Sequence, residues 1–379
     1  MKKIKVLTVF GTRPEAIKMA PVIRKLEENP FMESKICVTA QHRQMLDQVL
    51  NIFNIVPDYD LNIFKPGQTL TEITSRALEG LEEVIKDFMP DVLLVQGDTT
   101  TVFAGALAGF YHKVKIGHVE AGLRSHNMYS PYPEEANRKL TGVLTDFHFA
   151  PTEESKENLL REGYDESKIF VTGNTAIDAL LQVVSDDYVF EDDLLNRLDY
   201  KNKKIILMTS HRRENIGKPM ENIFKAINDI VEKNREVEVV FPVHLNPKVR
   251  DIANRILGKN DRIHLIDPLD YLPFANLQAR CYLIVTDSGG IQEEAPTLGK
   301  PVLVIRKETE RPEGIKAGTA RLIGIEYENV YNQIDLLINN EEEYKKMANA
   351  VNPYGDGNAS DRIVEIIVKQ FGIGNLVTN

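Results

Sequence analysis

From its fourth residue onward the chain alternates short apolar runs with longer amphipathic ones, and this alternation sharply limits what it can fold into. Runs of strand length fall at 4–10, 35–40, 91–96, 114–119 and 146–149, with a weaker one near 59–63. Segments with apolar residues at helical spacing lie between them, at about 14–28, 41–53, 69–88, 99–111, 133–144 and 152–162. Strands that are apolar throughout have no wet face, so they belong in a sheet covered on both sides. Helices between successive strands are the crossovers that a parallel sheet requires. The scheme then recurs, with strands at 203–209, 236–241, 262–266, 282–286 and 301–305 and helices at about 217–233, 246–257, 272–280, 289–298 and 326–338. At 379 residues the chain exceeds one comfortable core. The expected fold is therefore α/β, with two Rossmann-like domains whose parallel sheets face across a cleft.

The acidic, glycine-poor stretch 185–204 lies between the halves. The boundary is placed shortly before it, giving domains 1–170 and 171–359. The tail SDRIVEIIVKQF is amphipathic and follows a Pro-Tyr-Gly-Asp-Gly hinge, so the segment 360–379 is expected to rejoin the first domain. A formal charge of −10 argues against general nucleic-acid binding; any polyanion must be met by a few local cations. Lysines precede an apolar run at the N-terminus. That run ends at Phe10 and is followed by Arg13 and Glu15, unlike a signal peptide. No segment has the length of a membrane span. Cys37 and Cys281 sit in apolar runs and read as buried thiols of a reducing compartment. A cytoplasmic location is expected.

In open parallel sheets ligands bind beyond the carboxyl ends of the strands, and the unusual residues concentrate in those loops. The stretch TDSGGIQEEAPTLGKPVLV (286–304) breaks a strand at a Ser-Gly-Gly turn and then opens a helix. Backbone N–H groups and a positive helix end there suit a phosphate, and Glu293 and Glu294 one turn later could hold a ribose. A glycine turn serving geometry alone is equally compatible with that stretch. In GTRPEAIK (11–18), Arg13 precedes a helix, where a cation is unfavourable without an anion beside it, and Lys18 lies one turn on. In QGDTTT (96–101), Asp98 is either a helix cap or a functional carboxylate. The loop GHVEAGLRSHNMYSPYPEEANRKLTG (117–142) is the densest, with His118, Glu120, Arg124, His126, Glu134, Glu135 and Arg138. Glu134 and Arg138 are four apart on one helix face and could be no more than an ion pair. TSHRREN (209–215) ends a strand with a histidine and two arginines, PVHLNP (242–247) repeats the position with His244, and KETERPEGIKAGT (307–319) adds Arg311.

Metal-site spacing, a nucleophile elbow and a G-x-G-x-x-G turn at the first helix are all missing from the sequence. Any pyrophosphate would be neutralised by arginine, lysine and backbone N–H groups.

Taken together, GTRPE, GDTTT, HVEAGLR, PEEANR, HRREN, DSGGIQEEAP and ERPEG resemble the non-hydrolysing UDP-N-acetylglucosamine 2-epimerase family, over about residues 4–370. The resemblance implies a glycosyltransferase-B-like fold with the active site between two Rossmann-like domains. It implies interconversion of UDP-N-acetylglucosamine and UDP-N-acetylmannosamine for cell-surface polysaccharide synthesis. The family eliminates UDP across carbons 1 and 2 to give 2-acetamidoglucal, then re-adds it, and needs no redox cofactor or metal. By position, the resemblance implies catalytic roles for Asp98, Glu120, Glu134, Arg138 and His211. It implies nucleotide contacts from Arg13, Lys18, Phe274, Ser288, Gly289, Gly290, Glu294 and Arg311. It also implies a second UDP-N-acetylglucosamine acting as activator at Gln41, His42, Gln44, Glu134, Arg212 and His244, and a homodimer. Gly67 stands where some members carry an arginine, so weaker activation is expected. A glycosyltransferase of the same architecture, a hydrolysing 2-epimerase and a non-enzymatic nucleotide-sugar sensor remain alternatives that residue chemistry alone does not separate.

Overall fold

The computed structural model describes residues 2–41 and 43–372. Two compact units form, one running through Gln182 and resuming at Gly355, the other spanning Val183–Tyr354. The expected boundary near residue 170 falls inside the first unit's last strand.

In the first unit, β1 (Ile4–Phe10), β2 (Met32–Val38), β3 (Tyr59–Asp60), β4 (Val92–Gln96), β5 (Lys115–Val119), β6 (Phe147–Ala150) and β7 (Ile169–Val171) form one sheet. Their order is β3-β2-β1-β4-β5-β6-β7, and every pairing is parallel. The chain winds outward from β1 in one direction and then from β4 in the other, so β1 and β4 meet at the switch point. Alternation along β1 shows why both faces are dry. Ile4, Val6 and Phe10 pack with the helices Arg13–Glu28 and Ala359–Gln370, whereas Leu7 and Val9 pack with Leu70–Phe88 and Thr100–Tyr111. All five residues of β4 are buried. The helix Thr100–Tyr111 lies close on the sheet because Gly109 leaves room there: a β-carbon on it would stand 2.4 Å from Ile116 Cδ1.

The C-terminal helix Ala359–Gln370 is tied to this unit by a buried carboxylate. Asp178 accepts from Ser360 N at 2.8 Å and Ser360 Oγ at 2.6 Å, and Ile363, Val364 and Ile367 enter the core. The end of the expected tail segment, 373–379, lies outside the described residues.

The second unit repeats the plan with β8 (Lys204–Thr209), β9 (Val237–Pro242), β10 (Ile263–Ile266), β11 (Leu283–Thr286), β12 (Val302–Val304) and β13 (Ala320–Leu322). The order is β10-β9-β8-β11-β12-β13, again all parallel. Ile206 and Met208 face the helices Lys218–Lys233 and Tyr327–Asn339, while Ile205 and Leu207 face Leu277 and Ile291. The sequence pattern did not reveal β7 and β13. Each is three residues long and lies at a sheet edge; β7 is too short an apolar run to stand out, and β13 carries Arg321 at its centre. Among the described residues no helix is long and apolar enough to cross a membrane.

Candidate active site

In the first unit the loops after β1, β4 and β5 carry most of the predicted carboxylates and cations. Glu120 follows β5 with a left-handed backbone (φ 65°), which turns its side chain back over the sheet end. One carboxylate oxygen accepts from Lys18 Nζ at 2.5 Å and the other from the Gln96 amide at the end of β4. The neighbouring Gly97 also has positive φ (82°), and a β-carbon on it would lie 3.6 Å from Glu120 Oε2. His118 Nε2 meets Gly97 O at 2.7 Å; burial pushes this imidazole down to about 4, so it is a neutral donor that pins the β4 loop.

Asp98 is gripped from the side. Arg138 donates Nε at 2.9 Å and Nη2 at 2.6 Å to one carboxylate oxygen, and Asn137 Nδ2 donates to the Asp98 carbonyl. Asp98 is thus not the helix cap; Thr99 fills that place for Thr100–Tyr111. Arg138 is held in turn by Glu135 at 3.2 Å, and fully buried Glu135 accepts from Ser125 N and His126 N. Glu134 opens the helix Glu134–Leu144, and its buried Oε2 meets no hydrogen-bond partner among the described residues. Glu134 and Arg138 therefore share a helix, but Arg138 pairs with Asp98 and Glu135. Arg124 is occupied elsewhere, in a bidentate bond with Glu162.

Arg13 opens the helix Arg13–Glu28, half-buried, one residue beyond Thr12. Two positions on, Glu15 is buried beneath the turn and accepts from Gly11 N at 3.2 Å and Thr99 Oγ1 at 2.8 Å. Burial raises its carboxyl to about 7 despite those bonds. Gln41 accepts from Thr101 Oγ1 at 3.2 Å, while Gln44 is exposed. His42 lies outside the described residues. Gly67 has open space around its missing side chain.

In the second unit a single buried carboxylate organises the end of β8. Asp287, immediately after β11, is fully buried. Its Oδ2 accepts from His211 N and Arg212 N at 2.9 Å each, from Asn215 Nδ2 at 3.2 Å and from Ser210 Oγ at 3.3 Å. Its Oδ1 lies 3.0 Å from His211 Nδ1. Burial alone would raise this carboxyl; the His211 ring and the two backbone N–H groups hold it below the usual range. The exposed His211 ring stacks at 6.0 Å on His244, joining a predicted catalytic position to a predicted effector one.

The Ser-Gly-Gly turn differs from expectation in one respect. Ser288 N–H is not open, because it donates to Thr286 Oγ1 at 2.9 Å. Gly289 and Gly290 begin the helix Gly289–Glu294, where N–H groups have no intrahelical acceptor. The Arg311 guanidinium stands 4.0 Å from where a Gly289 β-carbon would be, held there by buried Glu293. Glu293 is therefore a partner of Arg311 rather than an ordinary helix carboxylate. Glu294 is met by Gln278 Nε2 at 3.4 Å, and Phe274 packs half-buried on the core cluster that includes Ile291.

Three residues that hold these groups in place were not singled out from the sequence: Glu15, Gln96 and Asp287. Each is a polar residue that the fold buries at a strand or helix end, with at least one partner from a different loop. A sequence shows the residue but not the neighbour.

Among the described residues no cluster of His, Cys, Asp or Glu could hold a metal ion. The family model described as UDP-N-acetylglucosamine 2-epimerase matches residues 24–368. The chain is similar to the UDP-N-acetylglucosamine 2-epimerase of Bacillus subtilis (strain 168), at 58% identity over 98% of this chain and 97% of that one. Similarity to the enzyme of the same name in Escherichia coli (strain K12) is 57%, over 96% and 98%. A crystal structure of UDP-GlcNAc 2-epimerase from Neisseria meningitidis bound to UDP-GlcNAc matches with a TM-score of 0.84 and 53% identity, over 97% of this chain and all of that one.

Proposed function

The chain belongs to the UDP-N-acetylglucosamine 2-epimerase family, and we propose that it interconverts UDP-N-acetylglucosamine and UDP-N-acetylmannosamine without net hydrolysis, in the cytoplasm, as a supply for cell-surface polysaccharide. The observation that carries this reading is the pair of carboxylates at adjacent strand ends, Glu120 between Lys18 and Gln96, and Asp98 under Arg138. Inversion at carbon 2 needs a proton taken from one face and returned to the other, so two differently supported acid–base groups suit it. A proton beta to the anomeric oxygen is too weakly acidic to leave alone. In the proposed route a base takes it as the bond from carbon 1 to the diphosphate oxygen breaks, and that electron pair leaves with UDP. The remaining 2-acetamidoglucal then regains a proton at carbon 2 and UDP at carbon 1. Asp98, Glu120 and Glu134 supply the acid–base set, with Arg138 and His211 completing it.

UDP must stay bound while the sugar is remade. Arg13, Lys18, Ser288, Gly289, Gly290 and Arg311 are proposed for the diphosphate, Glu294 for the ribose and Phe274 for the base. Arg311 over the Gly289 turn supports the phosphate assignment, since a cation and open helical N–H groups converge there. The relative from Neisseria meningitidis binds UDP-GlcNAc, consistent with this substrate.

A second UDP-N-acetylglucosamine is proposed as activator, using Gln41, His42, Gln44, Glu134, Arg212 and His244. The His211–His244 stack supports coupling between the two sites. With Gly67 in place of a cation, activation is weak; initial rates from the mannosamine side without lag or stimulation would remove it. A homodimer is also proposed. The packed helices Thr100–Tyr111 and Glu134–Leu144 leave Phe110, Tyr111, Leu140 and Val143 exposed, which a second copy would cover.

Proton NMR of the protein with UDP-N-acetylglucosamine in deuterated water tests the reaction. The expected result is a UDP-N-acetylmannosamine signal with deuterium at carbon 2 of both sugars. Free N-acetylmannosamine as main product would favour the hydrolysing type, and product formed only with an added acceptor would favour a transferase.

A further inference from the structure

We infer that Asp287 is a positioning residue of the reaction: it fixes His211 as the Nδ1–H tautomer, leaving Nε2 as the ring's acceptor. The inference rests on the proposed role of His211 and adds a residue that role does not contain.

The geometry separates the two oxygens of this carboxylate. Oδ2 receives four donors, namely His211 N, Arg212 N, Asn215 Nδ2 and Ser210 Oγ, all between 2.9 and 3.3 Å. Oδ1 lies 3.0 Å from His211 Nδ1, an ion-pair contact that is not aligned as a hydrogen bond, and it has no hydrogen-bond partner among the described residues. An ionised carboxylate offers only acceptors, so a lone pair on Nδ1 would be repelled at that distance, which favours the proton on Nδ1. Nδ1 carrying hydrogen in a neutral imidazole leaves the lone pair on Nε2. The ring itself is exposed, while its anchor is completely buried at the end of β11. A merely structural carboxylate would be satisfied by the four donors on Oδ2; the dedicated second oxygen is what points to the ring. The strand register explains how the pair arises, since Thr286 lies beside Thr209 and the next residues of both strands turn out together.

The same asymmetry makes Asp287→Asn an informative substitution. Four donors crowd the Oδ2 position, so the asparagine oxygen must sit there and its NH2 must face Nδ1. The amide then donates to Nδ1 and forces the proton to Nε2, the reversed tautomer. In a carboxylate–histidine pair this reversal costs rate while geometry survives.

The test combines NMR and kinetics on the full chain. Long-range nitrogen–carbon NMR at alkaline pH, where imidazoles are neutral, is expected to show Nδ1–H for His211 in the wild type and Nε2–H in Asp287→Asn. Epimerisation by Asp287→Asn is expected to lose about 100-fold in kcat, with KM and UDP affinity within about 3-fold. In a His211→Gln background the same substitution should cost under about 3-fold, because its target is gone. An Nε2–H ring in the wild type would overturn the inference and needs no variant to fold. So would a 100-fold loss that persists in the His211→Gln background. A wild type that shows the Nδ1–H ring but no epimerisation would instead defeat the proposed function.

Discussion

The two units share one plan, a parallel sheet wound both ways from its centre, yet they arrange polar groups at the strand ends in opposite manners. In the first unit, acids and cations from two loops and two helices pair with one another: Glu120 with Lys18, Asp98 with Arg138, Arg138 with Glu135. In the second, buried acids act as clamps that present something else. Asp287 presents His211 and Arg212, and Glu293 presents Arg311. The same scaffold thus pairs acids with cations in one unit and presents a histidine and two arginines in the other. Scaffold and chemistry are set by different residues.

Substitutions at the first unit's paired carboxylates and at the second unit's proposed nucleotide contacts are expected to fail differently. The largest effect is expected for Glu120→Gln, which removes the charge that Lys18 balances. Its turnover should fall about 1,000-fold while UDP affinity changes less than about 3-fold, as steady-state kinetics and calorimetry with UDP would show. Equal losses of both would erase the proposed distinction between the units.

Glu15 offers a second test through pH. Its carboxyl is raised to about 7 from 4.5 by burial, so the folded state favours the protonated form. That contribution is fully present below about pH 4.5 and is lost as pH rises through about 7. Relative to Glu15→Gln, the wild type should lose stability on the order of 3 kcal/mol between pH 4.5 and 8 in denaturant titrations. A constant difference across that range would mean the burial is not sensed.

In the second unit, Glu294→Gln should raise KM about 10-fold with kcat within about 3-fold, the converse of the Glu120 result. The smallest effect is expected for Gly97→Ala. A side chain at φ 82° costs about 1–2 kcal/mol, and its β-carbon would touch Glu120, so melting temperature should fall with a modest loss of rate.

Much of this was legible in the sequence because it rests on local pattern. The alternation of apolar runs with amphipathic segments marks both sheets, and Gly, Pro and charged residues mark the loops. The short edge strands Ile169–Val171 and Ala320–Leu322 were not legible, because three residues are too few to make a period and the second has Arg321 at its centre. The clamps were not legible either. Asp287 stands in plain view beside Ser-Gly-Gly, but its role depends on β8 lying next to β11, a neighbour about 75 residues earlier in the chain. Glu15 likewise reads as a favourable first-turn acid, and only the fold brings Thr99 to it.

The central proposal is that the bond between sugar and UDP breaks and re-forms while UDP stays bound. Positional isotope exchange tests it most directly. UDP-N-acetylglucosamine carrying oxygen-18 in the bridge between sugar and phosphate is incubated with the protein, and recovered substrate is read by phosphorus NMR. The label is expected to move into non-bridging positions of the β-phosphate as epimer forms, with no free UDP accumulating. Epimer formed with the label still in the bridge would contradict it.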